Sequence, residues 1–478
     1  VVSAIWLAVV IAGGIFTSTL EARHGLHVFG PPTWVAGQPS VLRVGLRDLT
    51  FSRFARLDAV AVHFVDASGA RTPAAQIDTQ AGDFVQGAVA APRTPGAYTV
   101  ALTAHATRGI ATTEFPITVQ PANTPPVDLP KAKTHLPPQP DQGPLKLDVF
   151  PIDQVLPGDL PTRVAVRATD ATGRPQSIPV GIHVREGRFA QQMPSAVTTD
   201  RHGLATFAAQ ASHPSFWIDL SAADTKAARR IRRTPTQLVL DTPVAQVQPQ
   251  TEIPFEVQSL HRAGLVFVDL WQDDRWLATT TVTLEGGRAQ GTMPLPTLTA
   301  DPAIVWLQAY RTAYLPQKAR GARHLVVSAQ TATQANRYVA RQLAELGVDV
   351  AWAGHLALHA DADPSLTRVL LGRFARPERD PALVGNSSDS ARLTVTSMKS
   401  TWQKRFAWAL LISGALMLGV VALMLRQNNR DVQAAWAESG GEDLVGTRKG
   451  LGFDAAYVFG VLILFLLALM TLLLQIRW

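Results

Sequence analysis

Between Phe406 and Leu425 the sequence reads FAWALLISGALMLGVVALML, twenty residues without a charge, and from Ala455 to Ile476 it runs uncharged for twenty-two. A helix of about 20 apolar residues crosses the hydrocarbon of a bilayer while pairing all its backbone groups internally. Transmembrane helices are therefore expected at 405–426 and 453–478. Arg405 and Arg426 bracket the first, and Arg477 with Trp478 closes the second, residue types that suit the membrane interface. Val1–Leu20 is also uncharged and lacks the basic leader and small-residue cleavage site of a secretory signal. Residues 1–22 read as a retained anchor, with a signal peptide as the alternative.

Basic residues do not orient these spans. Arg426, Arg430, Arg448 and Lys449 follow the first of the pair, while Lys399, Lys404 and Arg405 precede it. The nature of the long middle does, because tandem β-sandwiches are common outside the cytoplasm. The expected arrangement is an N-terminus inside, a large extracytoplasmic part, a cytoplasmic loop at 427–452 and a C-terminus outside, in a bacterial inner membrane.

The middle is patterned quite differently. Short alternating runs such as VLRVGL (Val41–Leu46), AVAVHFV (Ala59–Val65) and GAYTVALTA (Gly96–Ala104) are separated by turn residues, including Asp66, Ser68 and Gly69. Residues 24–120 thus read as a first sandwich. Residues 121–144, PANTPPVDLPKAKTHLPPQPDQGP, read as an extended proline-rich linker. A second sandwich is expected at 145–223, from TRVAVRATDATGRPQSIPVGIHV and TTDRHGLATF, then a basic linker at 224–235. A third, at 236–328, carries EIPFEVQS, LVFVDLWQDDRWLATTTVTLEGGRAQGTMPLP and AIVWLQAY, a meander written out in turns.

In the second module Asp170, Gly173, Pro175, Thr198, Thr199, Asp200, Gly203 and Ala205 match the pattern D-x-x-G-x-P, then V-x-V, then T-T-D-x-x-G-x-A. At these residues the sequence resembles bacterial Ig-like modules of the invasin type and the macroglobulin-like domains of bacterial α2-macroglobulins. The resemblance covers about half the chain and implies a mainly β fold of tandem Ig-like sandwiches. It does not imply protease trapping, since the family's thioester motif and bait region have no counterpart here. Asp200 and Gly203 are accounted for by turn chemistry.

A small α/β membrane-proximal segment is expected at 329–400. Ala335, Val339, Leu343 and Leu346 share a helix face that Gly347 ends, after which Val348, Val350 and Trp352 alternate as a strand. A further strand is expected at Thr367–Phe374, and the stretch Ala391–Thr396 leads to the anchor.

Few residues suggest chemistry. The run GHLALHADADP gathers His355, His359, Asp361 and Asp363. With Pro364 following and a strand preceding, it reads as a polar loop or edge strand, with a metal site as the alternative. KAARRIRR carries Lys226, Arg229, Arg230, Arg232 and Arg233, a solvated hinge or a grip on an acidic partner or lipid headgroups. Gly414, Ala415 and Gly419 provide small-residue spacing for close helix packing in the membrane.

The chain has no cysteine, which excludes disulfides, thiolate metal sites and cysteine nucleophiles. Its net charge of +7 is spread along the chain, so nucleic acid is not an expected partner. No G-x-S-x-G, P-loop or dinucleotide fingerprint occurs. The sequence therefore leads to a non-catalytic accessory or scaffold subunit of an envelope complex, without cofactor or small-molecule substrate. Its expected partners are other membrane subunits and the bilayer. The alternatives are a metal-binding envelope enzyme or sensor built on His355 and His359, and a stand-alone macroglobulin-like surface protein.

Overall fold

The computed structural model describes residues 24–438, with breaks at 50–52, 79–82, 107–108, 125–141, 190–192, 313–319 and 375–378 and at a few single positions, together with Gly460. The expected spans at 1–22 and 453–478 and most of the proline-rich linker lie outside the described residues. Residues Leu26–Arg47 and Arg53–Asn386 form one compact unit.

The first sandwich contains β1 (His24–Phe29), β2 (Thr33–Val35), β3 (Pro39–Asp48), β4 (Arg53–Ala55), β5 (Ala59–Val65), β6 (Arg71–Asp78), β7 (Phe84–Ala90), β8 (Gly96–Ala106) and β9 (Gly109–Gln120). One sheet includes β1, β3, β4 and β7, and the facing sheet runs β2-β9-β8-β5-β6. The alternation of β5 shows why it forms: Val60, Val62 and Phe64 point into the core, between half-exposed neighbours. Each such side chain removed from water contributes about 1.5–3 kcal/mol.

The second sandwich contains β10 (Leu145–Pro151), β11 (Pro161–Asp170), β12 (Pro179–Glu186), β13 (Ala196–Thr198), β14 (Leu204–Gln210), β15 (Ser215–Ala222) and β16 (Thr225–Arg232). Its sheets are β10-β11-β14 and β13-β12-β15-β16. The basic run is therefore a strand rather than a linker. It alternates, with Thr225, Ala227 and Ile231 buried and Lys226, Arg230 and Arg232 exposed, a period of two that its density of charge obscures.

The two sandwiches use one turn device three times. Asp66 Oδ1 accepts from the Ser68 and Ala70 amides at 2.9 and 3.0 Å, and Asp170 Oδ1 accepts from those of Thr172 and Arg174 at 2.8 and 3.0 Å. Asp200 Oδ1 does the same for His202 and Leu204 at 2.7 and 3.0 Å. Each Asp is followed three residues later by a glycine at positive φ: Gly69, Gly173 and Gly203.

The third module is a single sheet in the order β17 (Leu238–Asp241), β19 (Glu252–Ser259), β22 (Arg288–Pro294), β21 (Arg275–Glu285), β20 (Ala263–Gln272), β23 (Ala303–Tyr310), β24 (Gly321–Val327), β18 (Gln246–Val247). It curls around one core that includes Ile253, Phe255, Val268, Leu277 and Met293. The curl brings β24 back against β17, where a side chain at Gly321 would come within 2.8 Å of the Leu240 amide.

Three helices follow: α1 (Ala332–Glu345), α2 (Val350–His359) and α3 (Pro364–Leu371). A capping box of Thr331 and Gln334 starts α1, whose buried face includes Ala335, Val339 and Leu343, as the spacing predicts. The expected strands at 348–352 and 367–374 are not formed. Trp352, Ala353 and Leu356 are buried at helical spacing in α2, and Leu366, Val369 and Leu370 in α3. Pro364 begins a helix instead of interrupting one. It occupies the first turn of α3, behind Asp363 as N-cap, where its missing N–H is no loss. The helices fill the space between the second and third modules, in one cluster with Phe150, Leu204 and Val326.

The chain then returns to its beginning. β25 (Leu383–Asn386) pairs antiparallel with β1, Val28 opposite Gly385, and extends the first module's sheet. Beyond it α4 (Ser388–Glu438) runs as one helix of 51 residues. It includes the stretch at 391–396 and absorbs the first part of the expected loop at 427–452. Among the described residues no helix is long and apolar enough to cross a membrane. The side chains at 407, 410, 417, 418 and 421, all within the uncharged run, are not among those described.

Candidate partner-binding surfaces

The junction between the first and third modules is closed. Arg43 on β3 is fully buried, and its Nη2 donates to Asp269 Oδ1 at 2.9 Å and to Thr279 Oγ1 at 3.2 Å, while Nε donates to Gln86 Oε1 at 2.7 Å. Tyr310 receives from the same guanidinium and donates to Asp269. The guanidinium carbon stands 4.6 Å from the centroid of Phe267 and 4.9 Å from that of Trp276. Burial pushes the Asp269 carboxyl above its ordinary value, against the pull of Arg43 and the hydroxyls of Tyr310 and Thr279. Beside this centre Val41 packs on Trp271, Trp276 and Trp306. The one signal in the sequence was a charge at the midpoint of two apolar strands, VLRVGL and LVFVDLW.

A second closed junction joins the helices to the second module. Asp349 is gripped by Arg167, with contacts of 2.9 and 3.0 Å, and by Arg373 Nε at 2.7 Å. Burial pushes its carboxyl up, but the two guanidinium groups outweigh this and hold it below its ordinary value. The Trp352 indole donates to the His202 carbonyl at 3.2 Å, and Arg167 stacks 5.0 Å from the Trp352 ring. At the junction of the second and third modules Arg323 pairs with Asp153 and, at 3.4 Å, with Asp241. Burial lowers the Arg323 guanidinium to about 10. A small cleft around it is lined also by His324 and Arg368, and Arg368 approaches Asp241 at 3.8 Å.

The histidine and aspartate cluster is divided by the fold. His355 and His359 lie on α2 one turn apart, not in a loop or strand. Asp361 accepts from His202 Nε2 at 3.1 Å and pairs with Arg201, while Asp363 accepts from the Ser365 amide at 2.8 Å as the cap of α3. Buried Asn336 holds this loop through the carbonyls of Asp361 at 2.7 Å and Asp363 at 3.1 Å, a role that no spacing in the sequence reveals. Among the described residues no group of three or more potential ligands surrounds a common point.

The basic residues separate by face. Lys226, Arg230 and Arg232 lie on the outer surface of the sheet, with Arg230 5.9 Å from the centroid of Trp217. Arg229 turns inward and approaches Asp148 at 3.6 Å, and Arg233 approaches Asp159 at 3.8 Å. The Arg233 amide donates to the Pro214 carbonyl, so the even-numbered residues of β16 turn their backbone groups away from β15. Gln142 takes those of Lys226, and among the described residues the outward backbone of Arg230 and Arg232 meets no partner strand. On α4, Ala415 and Gly419 are exposed, and a side chain added at Gly419 would meet nothing within 4 Å, so no described helix packs there.

These features define a mainly β protein of two sandwiches and a curled single-sheet module with closed junctions and, among the described residues, an exposed basic sheet face. No protein-family model matches the sequence, and no curated protein matches it. By structure the chain is similar to trypsin-activated α2-macroglobulin from Escherichia coli, at 12% identity and TM-score 0.18, over 65% of this chain and 24% of that one. The native conformation of the E. coli protein matches at 11% identity and TM-score 0.17, over 64% and 22%. The I9–I11 tandem from titin matches at 10% identity and TM-score 0.14, over 63% and 99%. The chain thus spans about a quarter of the length of the macroglobulins it matches.

Proposed function

We propose that this chain is a non-catalytic accessory or scaffold subunit held in the bacterial inner membrane by α4, with its β modules on the extracytoplasmic side. The observation that carries the reading is the uncharged part of α4. Trp408, Ile412, Leu416, Val420, Leu423 and Met424 are all exposed there, between Arg405 and Arg426. Twenty helical residues rise about 30 Å, the thickness of the hydrocarbon. So many large apolar side chains on one exposed helix form a patch that water does not tolerate. The modules support a binding role rather than a catalytic one, because their junctions are consumed by internal ion pairs and aromatic packing. What remains for partner proteins is the outer face of β16.

The test is fractionation followed by purification in mild detergent. The full chain is expected in the membrane pellet, resistant to alkaline wash, and released by Leu416→Arg/Val420→Arg. It is expected to co-purify with stoichiometric membrane proteins. A chain that remains in the soluble fraction overturns the anchor, and a stable lone monomer in detergent overturns the scaffold.

A further inference from the structure

β16 is the end strand of its sheet, and its open side is held at both ends. Lys226 and Gln142 exchange backbone hydrogen bonds of 2.9 and 3.0 Å, and beyond the strand the Thr234 amide donates to the Leu156 carbonyl at 2.9 Å. Between these points the ladder to β15 is carried by the odd-numbered residues, so Ala228, Arg230 and Arg232 turn their backbone groups outward. Continuing the antiparallel register of Gln142 would set Pro140 opposite Ala228 and Pro138 opposite Arg230, both outside the described residues. Proline has no N–H to give, so the chain cannot complete this ladder with its own preceding residues.

The side chains along the edge are one-sided in charge. Lys226, Arg230 and Arg232 are exposed on the outer face, and Asp219, opposite Ala228 on β15, is already paired with Arg185. A second copy joined through the same edge would set arginine against arginine, which destabilises a strand pair.

We propose that this edge receives an extended acidic segment of a partner protein, added antiparallel as a further strand, with carboxylates at alternate positions opposite Arg230 and Arg232. Residues directly opposite in an antiparallel pair share a face, so an acidic residue at every second position meets both guanidinium groups. The backbone bonds supply affinity and the alternate side chains select the partner. An anionic lipid headgroup pairs with guanidinium groups but does not run along a strand edge. The proposal deepens the scaffold reading and rests on it for the existence of a partner.

The experiment titrates the full chain, in mild detergent, into a labelled, end-blocked peptide alternating glutamate with valine, read by fluorescence anisotropy. Binding is expected, weakening as salt is raised. Methylating the glutamate amide nitrogens keeps every charge but removes the donors that face Arg230 and Arg232. It is expected to weaken binding at least about tenfold, the net worth of about two hydrogen bonds. Methylating the valine nitrogens, which point away from the edge, is expected to leave binding unchanged. Arg230→Glu/Arg232→Glu is expected to lose the glutamate peptide and to gain one alternating lysine with valine. Circular dichroism confirms that the variant is folded. Absence of peptide binding, equal loss from both methylation patterns, failure of the charge swap, or displacement by glycerol phosphate at the peptide's own concentration overturns the proposal. Partners that co-purify while the peptide does not bind overturn the edge and leave the scaffold standing.

Discussion

Arg43 and Asp269 lie 226 positions apart in sequence, in two different β modules, and meet at 2.9 Å with neither side chain exposed to solvent. The contact sits among Phe267, Trp276 and Tyr310, so water cannot replace either partner. Removing one charge from such a pair leaves the other buried and unpaired, which costs about 3–5 kcal/mol.

Arg43→Ala is accordingly expected to destabilise the chain by about 3–5 kcal/mol. Arg43→Met/Asp269→Leu is expected to recover much of that loss, because two apolar side chains need no compensation. Chemical denaturation of the two variants checks this. A double variant no more stable than Arg43→Ala would show that Tyr310 and Thr279 depend on the carboxylate.

Asp349 predicts a pH dependence. Its folded-state carboxyl titrates below the ordinary 3.8, so its ion pairs stabilise the fold fully above the unfolded value, and that contribution is lost as pH falls through the folded one. Asp349→Asn retains the shape, and asparagine tolerates the positive φ of 47° found there. It is expected to cost about 3 kcal/mol at pH 7 and progressively less below pH 4. Melting temperatures measured from pH 7 to pH 3 read the difference directly.

Gly173 is constrained twice. Its φ is +84°, and a side chain there would lie 2.5 Å from the Ala351 backbone on α2. Gly173→Ala is expected to destabilise by about 2 kcal/mol or more, since both strain and overlap must be relieved. The equivalent Gly69 has φ +84° but open space, so Gly69→Ala is expected to cost only about 1 kcal/mol. Thermal melts of the pair separate the two effects.

The exposed basic face predicts an effect on binding without one on folding. Arg230→Glu/Arg232→Glu is expected to change stability by no more than about 0.5 kcal/mol, as surface substitutions do. It is also expected to lower recovery of partner proteins in pull-downs at low salt. Equal recovery would remove this face from the proposed interface.

The β modules were legible because a strand between core and water must alternate every two residues, as Val60, Val62 and Phe64 do. The Asp66, Asp170 and Asp200 turns were legible for a similar reason, since their hydrogen bonds close within four residues. The region around α2 and α3 reads as strand in the sequence but folds as helix. Short apolar runs have no decisive period, and Pro364 signals the start of a helix as well as the end of one. Likewise β16 was hidden by its arginines, which alternate outward while Thr225, Ala227 and Ile231 carry the strand.

Local chemistry written into consecutive residues thus determined the all-β middle, its turns, the first helix after it and the uncharged runs near the C-terminal end. Tertiary structure decided where charges are buried, which side chains share a site and that β25 closes the first module's sheet. Those outcomes depend on contacts between residues hundreds of positions apart, such as Arg43 with Asp269 or Val28 with Gly385. No window of sequence contains both partners, so the desolvation and pairing that select them arise only once the modules have packed.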